Sequence, residues 1–352
     1  MPDLVVAGAG MAGLAAAARA RELGASVELR ERGDRPGGSM LLSSGFFWRH
    51  REMELFRADC PRGDPALQRA VFERLDDALD WLVSLGVPPP LERDTGNPLT
   101  VGRRFDPRRL TEALVRRAGE VRLAEPLEEL PRGVPLILAT GGFQGDRALV
   151  REHITPEADR LLLRANPWSA GDGLRLGLAA GASAGAGMGE FYGRNMPAPP
   201  AVVRPDGFVP LAQLYARHAT VENERGERFE ARAWSEIDVV QWTARQPRAR
   251  ARYTVADGVL GERVRERTVG EMVAAAEAAG ALVERGDGTT TVRVVAAITT
   301  TLGGLRIDAT ARAADGVFAA GADAGGISTG GYSSGLAAAL VFGRIAAESA
   351  LA

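Results

Sequence analysis

The sequence predicts an α/β fold interrupted by a second, α+β unit, and three stretches carry that expectation. Val5-Val6-Ala7-Gly8-Ala9-Gly10-Met11-Ala12-Gly13 is a hydrophobic strand entering a G-x-G-x-x-G turn. The C-terminal segment holds Thr299-Thr300-Thr301-Leu302-Gly303-Gly304, Gly321-Ala322-Asp323 and Gly330-Gly331-Tyr332-Ser333-Ser334-Gly335, the last opening an apolar helix. Between them, from residue 191 to about 291, Pro197, Pro199, Pro200, Pro205 and Pro210 break the chain and aromatics appear.

The opening element reads as a βαβ unit of Rossmann type. Gly8 permits the tight turn, Gly10 lets the backbone approach a pyrophosphate, and Gly13 lets helix 11–23 pack closely on the strand. Free N–H groups and the positive dipole at the helix start, around Met11 and Ala12, suit phosphate oxygens. A second strand over 26–30 ends in Glu31, placed to accept hydrogen bonds from ribose hydroxyls; Arg30 and Arg32 flank it. The two chain ends are expected to meet around one dinucleotide.

Along the chain, Arg35-Pro36-Gly37-Gly38-Ser39 is a glycine-rich loop, and Met40 to Trp48 is an apolar, serine-dotted stretch suited to lining a pocket. Asp64 caps a helix with Pro65 at its first position; Leu67, Val71, Leu75, Leu79 and Leu82 recur at helical spacing until Gly86. Asp106-Pro107 opens another, ending near Gly119. Val134 to Ala139 reads as a buried strand running into Thr140-Gly141-Gly142-Phe143, where a ligand can approach the backbone closely. Asp172, in Gly171-Asp172-Gly173, sits near a helix start, where it suits a plain cap as well as a ligand.

Composition bounds the function. At 352 residues the chain can bury a large core, and 45% hydrophobic with 25% charged content is ordinary for a soluble protein. A net charge of −2 gives no bulk attraction to nucleic acid or anionic membranes. All 43 basic residues are Arg, which excludes Schiff-base and lysine-base mechanisms. The arginines at 245–252 are interleaved with Trp242 and Tyr253, but nearby Glu and Asp make them a solvated surface. One cysteine, Cys60, cannot form an intrachain disulfide or an iron–sulfur ligand set, and His50, His153 and His218 are too dispersed for a metal cluster. A cytoplasmic enzyme with no metal, no membrane association and no fused redox relay is expected. Gly326-Ile327-Ser328-Thr329-Gly330 spells a nucleophile elbow, but no histidine follows Ser328, so a hydrolase is rejected.

Laid out in order, these motifs resemble the flavoprotein family of succinate dehydrogenases, fumarate reductases and ketosteroid dehydrogenases. The matching pieces are Gly8 to Gly13, Glu31, the Gly37-Gly38-Ser39 loop, Ala139-Thr140-Gly141-Gly142-Phe143, Gly171-Asp172-Gly173, Asn223 to Phe229, Thr301 to Gly304, Gly321-Ala322-Asp323 and Gly330 to Arg344. The resemblance implies a glutathione-reductase-type FAD-binding domain at 1–190 and 292–352 and a capping domain at 191–291. It implies non-covalent FAD held by the glycine turn, Glu31, Arg32, Gly38, Ser39, residues 139–142, Asp172, Gly321 and Asp323, with the helix from Gly335-Leu336 pointing at the flavin ring. Such a helix end would stabilise negative charge developing there.

The departures are informative too. Thr299 and Tyr332 stand where fumarate reductases carry a His and an Arg that grip a dicarboxylate, so the sequence disfavours a small dicarboxylate. Tyr332 is instead similar to a tyrosine of ketosteroid dehydrogenases that assists enolisation. Only a short segment separates Gly119 from the strand at 134–139, where relatives insert a β-meander, so either a compact variant or an incomplete cap is expected. The leading expectation is an FAD-dependent dehydrogenase or reductase acting on a C–C or C=C bond beside a carbonyl of a hydrophobic small molecule, a cyclic one among the candidates, with a diffusible electron acceptor or donor. Tyr332 is the first choice for handling the proton or polarising the carbonyl, with Tyr192, Tyr215 and His218 from the cap as further candidates. A flavin oxidase or hydroxylase using oxygen, and a degenerate flavin-binding protein, are the alternatives.

Overall fold

A computed structural model describes residues 1–230 and 236–352. Strand Leu4–Ala7, helix Met11–Glu22 and strand Val27–Arg30 form the opening βαβ unit. Gly8 adopts φ +103°, and a Cβ there would lie 2.2 Å from the Ala139 carbonyl oxygen; one on Gly13 would lie 1.8 Å from the Gly8 carbonyl oxygen. Both glycines are therefore demanded by the fold itself. The six-stranded sheet runs Arg312–Ala314, Val317–Ala319, Leu136–Leu138, Leu4–Ala7, Val27–Arg30, Val121–Arg122, parallel except for its first pair.

The chain ends do meet. Strand Val317–Ala319 sits one strand away from Leu4–Ala7, and helix Gly335–Ala350 packs on Met11–Glu22 so closely that a Cβ on Gly343 would be 2.4 Å from the Ala12 carbonyl oxygen. Alanines and glycines at this contact remove the side-chain bulk that would hold the helices apart.

The helices at Pro65–Ser84 and Pro107–Ala118 begin as their sequences dictate. Asp64 accepts from the Ala66 and Leu67 N–H groups, and Asp106 from those of Arg108 and Arg109. A three-stranded antiparallel sheet, Phe46–His50, Thr100–Arg104 and Leu91–Arg93, was not foreshadowed by the sequence. Its first strand carries part of the apolar stretch that was expected to line a pocket, and Phe46 and Trp48 do line one.

The insert is built on a second sheet whose spine is the long strand Thr289–Thr301. Arg250–Ala256, Val283–Gly286 and Phe191–Pro197 pair with it antiparallel, and Leu162–Leu163 parallel. The insert's core gathers Tyr215, Tyr253, Val269, Met272 and Val292. Helix Val269–Ala278 packs there, started by a Thr268–Glu271 capping box. The outgoing strand Phe191–Pro197 and the returning Thr289–Thr301 form a paired ribbon, and residues 191 and 291 fall within it. A tight hairpin, Arg263–Val264 with Arg267–Thr268, projects from the insert.

Candidate active site

One elongated cavity runs from the glycine turn to the underside of the insert. At its first end the wall is largely backbone. Gly10 lines the cavity, and a Cβ built on it would meet nothing within 4 Å, so unlike Gly8 and Gly13 it is not required by internal packing. Glu31, nearly buried, accepts from the Ala9 N–H at 2.7 Å and the Gly33 N–H at 2.7 Å, pinning the glycine turn, while its remaining lone pairs border the cavity. Asp172 is the first residue of helix Asp172–Ala179 but does not cap it; its carboxylate bridges Arg32 at 2.9 Å and Arg175 at 2.5 Å. Asn166 donates to the Ser39 hydroxyl at 2.8 Å, fixing the second glycine loop.

The far end is made of side chains. Tyr192 and Tyr332 stack with centroids 3.8 Å apart and planes 11° apart, and Trp48 packs edge-on to Tyr332 at 5.3 Å. Tyr192 and Arg194 share one face of strand Phe191–Pro197, two residues apart, and the Arg194 guanidinium sits 4.9 Å from the Tyr192 ring centre. Arg164 donates to the Phe208 carbonyl at 2.8 Å and the Thr299 hydroxyl at 3.0 Å. Arg265, at the hairpin tip, lies 5.5 Å from the Trp48 ring centre. The Tyr332 oxygen accepts from the Gly335 N–H at 3.1 Å, which leaves its own O–H free to donate.

The loop carrying Tyr332 is anchored from behind. Asp64 N–H donates to the Gly326 carbonyl at 2.8 Å, Arg62 N–H to that of Thr329 at 3.1 Å, and the Gln68 amide to that of Ile327 at 3.0 Å. Gly330 N–H donates to Glu190 at 2.7 Å, and a Cβ on Gly331 would sit 1.7 Å from the Asp59 carbonyl oxygen.

These surroundings push the two phenols apart. Burial raises Tyr192, but the charges of Arg194, Arg164 and Arg265 outweigh it and hold Tyr192 below a tyrosine's usual value. Burial and the neighbouring Tyr192 charge push Tyr332 well up, against weaker pulls from the Gly335 N–H, Arg194 and Arg164. Glu236, 4.0 Å from Arg194, is itself raised by burial despite the arginines around it. Burial and the repulsion of Arg194 bring Arg265 down to about 10.

The sequence-derived residues divide clearly. Gly8, Gly10, Met11, Ala12, Glu31, Arg32, Gly38, Ser39, Ala139, Thr140, Gly141, Asp172, Gly321, Gly335, Leu336, Tyr192 and Tyr332 all border the cavity. Gly13, Gly142 and Asp323 stand behind its wall. Asp323 is buried, accepting from the Thr140 N–H at 2.5 Å and the Gly142 N–H at 2.9 Å, so it joins two loops rather than facing the cavity. Burial, opposed by those hydrogen bonds, raises its carboxyl. Tyr215 and His218 are not brought to the cavity. The turn at Ala216–His218 sends Tyr215 into the insert's core against Tyr253, and His218 follows it away.

Sequence reasoning missed Arg164, Arg194 and Arg265, whereas Trp48 closes the 40–48 stretch that was expected to line a pocket. The Tyr192-Gly193-Arg194 alternation at the start of a strand was the available signal for one of them.

The donor set fits a flavin dinucleotide. Gly10 leaves open the space a Cβ would fill, and the buried Thr301 hydroxyl, on the cavity wall, has no hydrogen-bond partner among the described residues. Among those residues no helix is long and apolar enough to cross a membrane, and no three His, Cys, Asp or Glu side chains group as metal ligands.

The FAD binding domain family matches residues 3–125 and 133–336. No curated protein matches at a significant level. Among solved structures, a flavocytochrome c3 fumarate reductase in an open conformation aligns at 20% identity and TM-score 0.74, over 99% of this chain and 78% of that one. The 3-ketosteroid-Δ4-(5α)-dehydrogenase of Rhodococcus jostii RHA1, in complex with 4-androstene-3,17-dione, aligns at 19% and 0.73, over 100% of this chain and 97% of that one. The 3-ketosteroid Δ1-dehydrogenase of Sterolibacterium denitrificans aligns at 15% and 0.74, over 99% of both chains. The chain shares their fold, and its alignment covers 97% and 99% of the two ketosteroid dehydrogenase chains.

Proposed function

The chain belongs to the FAD binding domain family, and from that premise we propose that it is an oxidoreductase that makes or removes a C=C bond beside a carbonyl, using Tyr192 and Tyr332 as a matched proton acceptor and carbonyl donor. The substrate is a small, largely hydrophobic ketone or enone, and electrons come from or go to a diffusible carrier. FAD, held non-covalently by the glycine turn, Glu31 and the 139–141 loop, supplies the hydride acceptor or donor when bound.

The stacked tyrosine pair with oppositely displaced acidities carries this reading. A pair of titratable groups driven apart by their surroundings suits one to move a proton and the other to hold one. Tyr192, stabilised as phenolate by three guanidiniums, takes the α-proton as the double bond forms, and as phenol returns it in the reverse direction. Tyr332 stays protonated and donates its hydrogen bond to the carbonyl oxygen, where negative charge grows as the α-proton leaves. Trp48 and Phe46 supply apolar wall beside the pair.

The test is a pair of variants, Tyr192→Phe and Tyr332→Phe, challenged anaerobically with 4-androstene-3,17-dione and with simpler cyclic ketones. Each is expected to keep bound FAD and to slow flavin reduction by about 10²-fold, the scale for losing one acid–base or oxyanion donor. Reduction of both variants at the parent rate would remove both tyrosines from the chemistry.

A further inference from the structure

The ring end of the cavity carries more positive charge than its own carboxylates balance. Arg164, Arg194 and Arg265 converge on it, whereas the buried acid beside them is Glu236, 4.0 Å from Arg194. Arg164 is tied to a carbonyl and a hydroxyl. Arg265 differs from both. It makes no hydrogen bond or ion pair with any described residue, although it lines the cavity and rests over Trp48. Asp94 and Glu236 act on it only at longer range.

Its position is specified, not incidental. Arg265 adopts φ +58°, the left-handed region that a side chain other than Gly enters at a cost. The next residue, Glu266, reaches Arg93 at 3.7 Å and Arg104 at 3.6 Å on the three-stranded sheet opposite. Gly96 leaves just enough room beneath the side chain, since a Cβ there would lie 2.9 Å from Arg265 Nε. A docked hairpin, a cleared floor and a left-handed turn together aim one guanidinium, unpaired among the described residues, into the aromatic-walled end of the cavity.

We propose that Arg265 is the anchor for a carboxylate on the substrate, so that the molecule turned over is a hydrophobic ketone or enone carrying one anionic end. The guanidinium fork matches a carboxylate in two parallel hydrogen bonds, and Trp48 shields that pair from water. The pKa of Arg265, lowered by burial and by Arg194, fits a charge kept waiting for its counter-ion. This assignment rests on the reading of the cavity as the substrate site, and adds to it the end of the substrate remote from proton transfer.

Binding tests it without turnover. The FAD-loaded protein is titrated with benzoate and with its neutral isostere benzamide, following the flavin absorbance. Benzoate is expected to bind at least about tenfold more tightly than benzamide. Arg265→Gln should abolish that preference while leaving benzamide binding and FAD content intact, and Arg265→Lys should restore part of it. Equal affinities for the two probes, including no perturbation by either, overturn the proposal, as does a benzoate preference that survives in Arg265→Gln. Should Tyr192→Phe retain both fast flavin reduction and the benzoate preference, the proton-transfer reading fails while the anchor stands.

Discussion

The two ends of the cavity are built from different materials. Around the glycine turn the wall is backbone and small residues, and the charged groups there are spoken for: Glu31 by two N–H groups, Asp172 by two arginines. Beneath the insert the wall is long side chains, with three guanidiniums pressing on two stacked phenols. One end grips by shape and exact hydrogen bonding; the other shifts proton affinities. The first should fail through added atoms, the second through removed charge.

The largest expected contrast lies between two neighbouring glycines. Gly8→Ala forces a Cβ to within 2.2 Å of a carbonyl oxygen and a side chain into φ +103°, so the protein should fail to fold or melt far below the parent. At Gly10 an added Cβ meets nothing within 4 Å, so the Gly10→Val apo-protein should melt close to the parent while FAD binding is lost by about 10²-fold or more. Calorimetry and flavin titration on both variants check this. A destabilised Gly10→Val apo-protein would put Gly10 in the packing and not in the cradle.

Smaller is the effect of Glu31→Ala. Losing the proposed charged hydrogen bond to ribose should weaken FAD by about tenfold or more, for an interaction of about 1.5–3 kcal/mol. Because the same carboxylate holds Ala9 and Gly33, the apo-protein should also lose some stability. A variant with unchanged FAD affinity would make Glu31 a purely internal strut.

The subtlest test concerns pH at the other end. Ketone-dependent flavin reduction should rise with pH as Tyr192 ionises, along a limb centred below the usual tyrosine value of about 10. Arg265→Gln removes one of the charges that hold Tyr192 down, so the limb should move to higher pH. Rate measurements across pH 6 to about 10.5 decide it; a limb that stays in place would mean that Arg265 does not act on Tyr192.

The same contrast explains what the sequence disclosed. Gly8, Gly10, Gly13 and Glu31 are legible because together they follow a fixed local spacing within the opening strand, turn, helix and strand. Asp64-Pro65 and Asp106-Pro107 are legible as helix starts for the same reason. Arg265 was invisible because its meaning depends on a hairpin docking against a sheet remote in sequence. Tyr215 and His218 misled because proximity along the insert says nothing about which way a short turn directs an aromatic ring. Asp323 sits where two glycine loops converge, and only the fold shows that Thr140 and Gly142 claim its oxygens first.

The anchorage of the Tyr332 loop has a consequence for how such a site diversifies. Its restraints act chiefly on main-chain groups of Gly326, Ile327, Thr329 and Gly330, whatever side chains the loop displays. Tyr332 is thereby a fixed reference, whereas Tyr192, Arg194 and Arg265 arrive on the ribbon and hairpin of the insert. Substrate preference can therefore be rewritten from one side of the cleft while the dinucleotide cradle and the stationary phenol keep their register. A lineage, or a protein engineer, can explore new substrates by exchanging a ribbon and a hairpin without rebuilding the redox platform underneath.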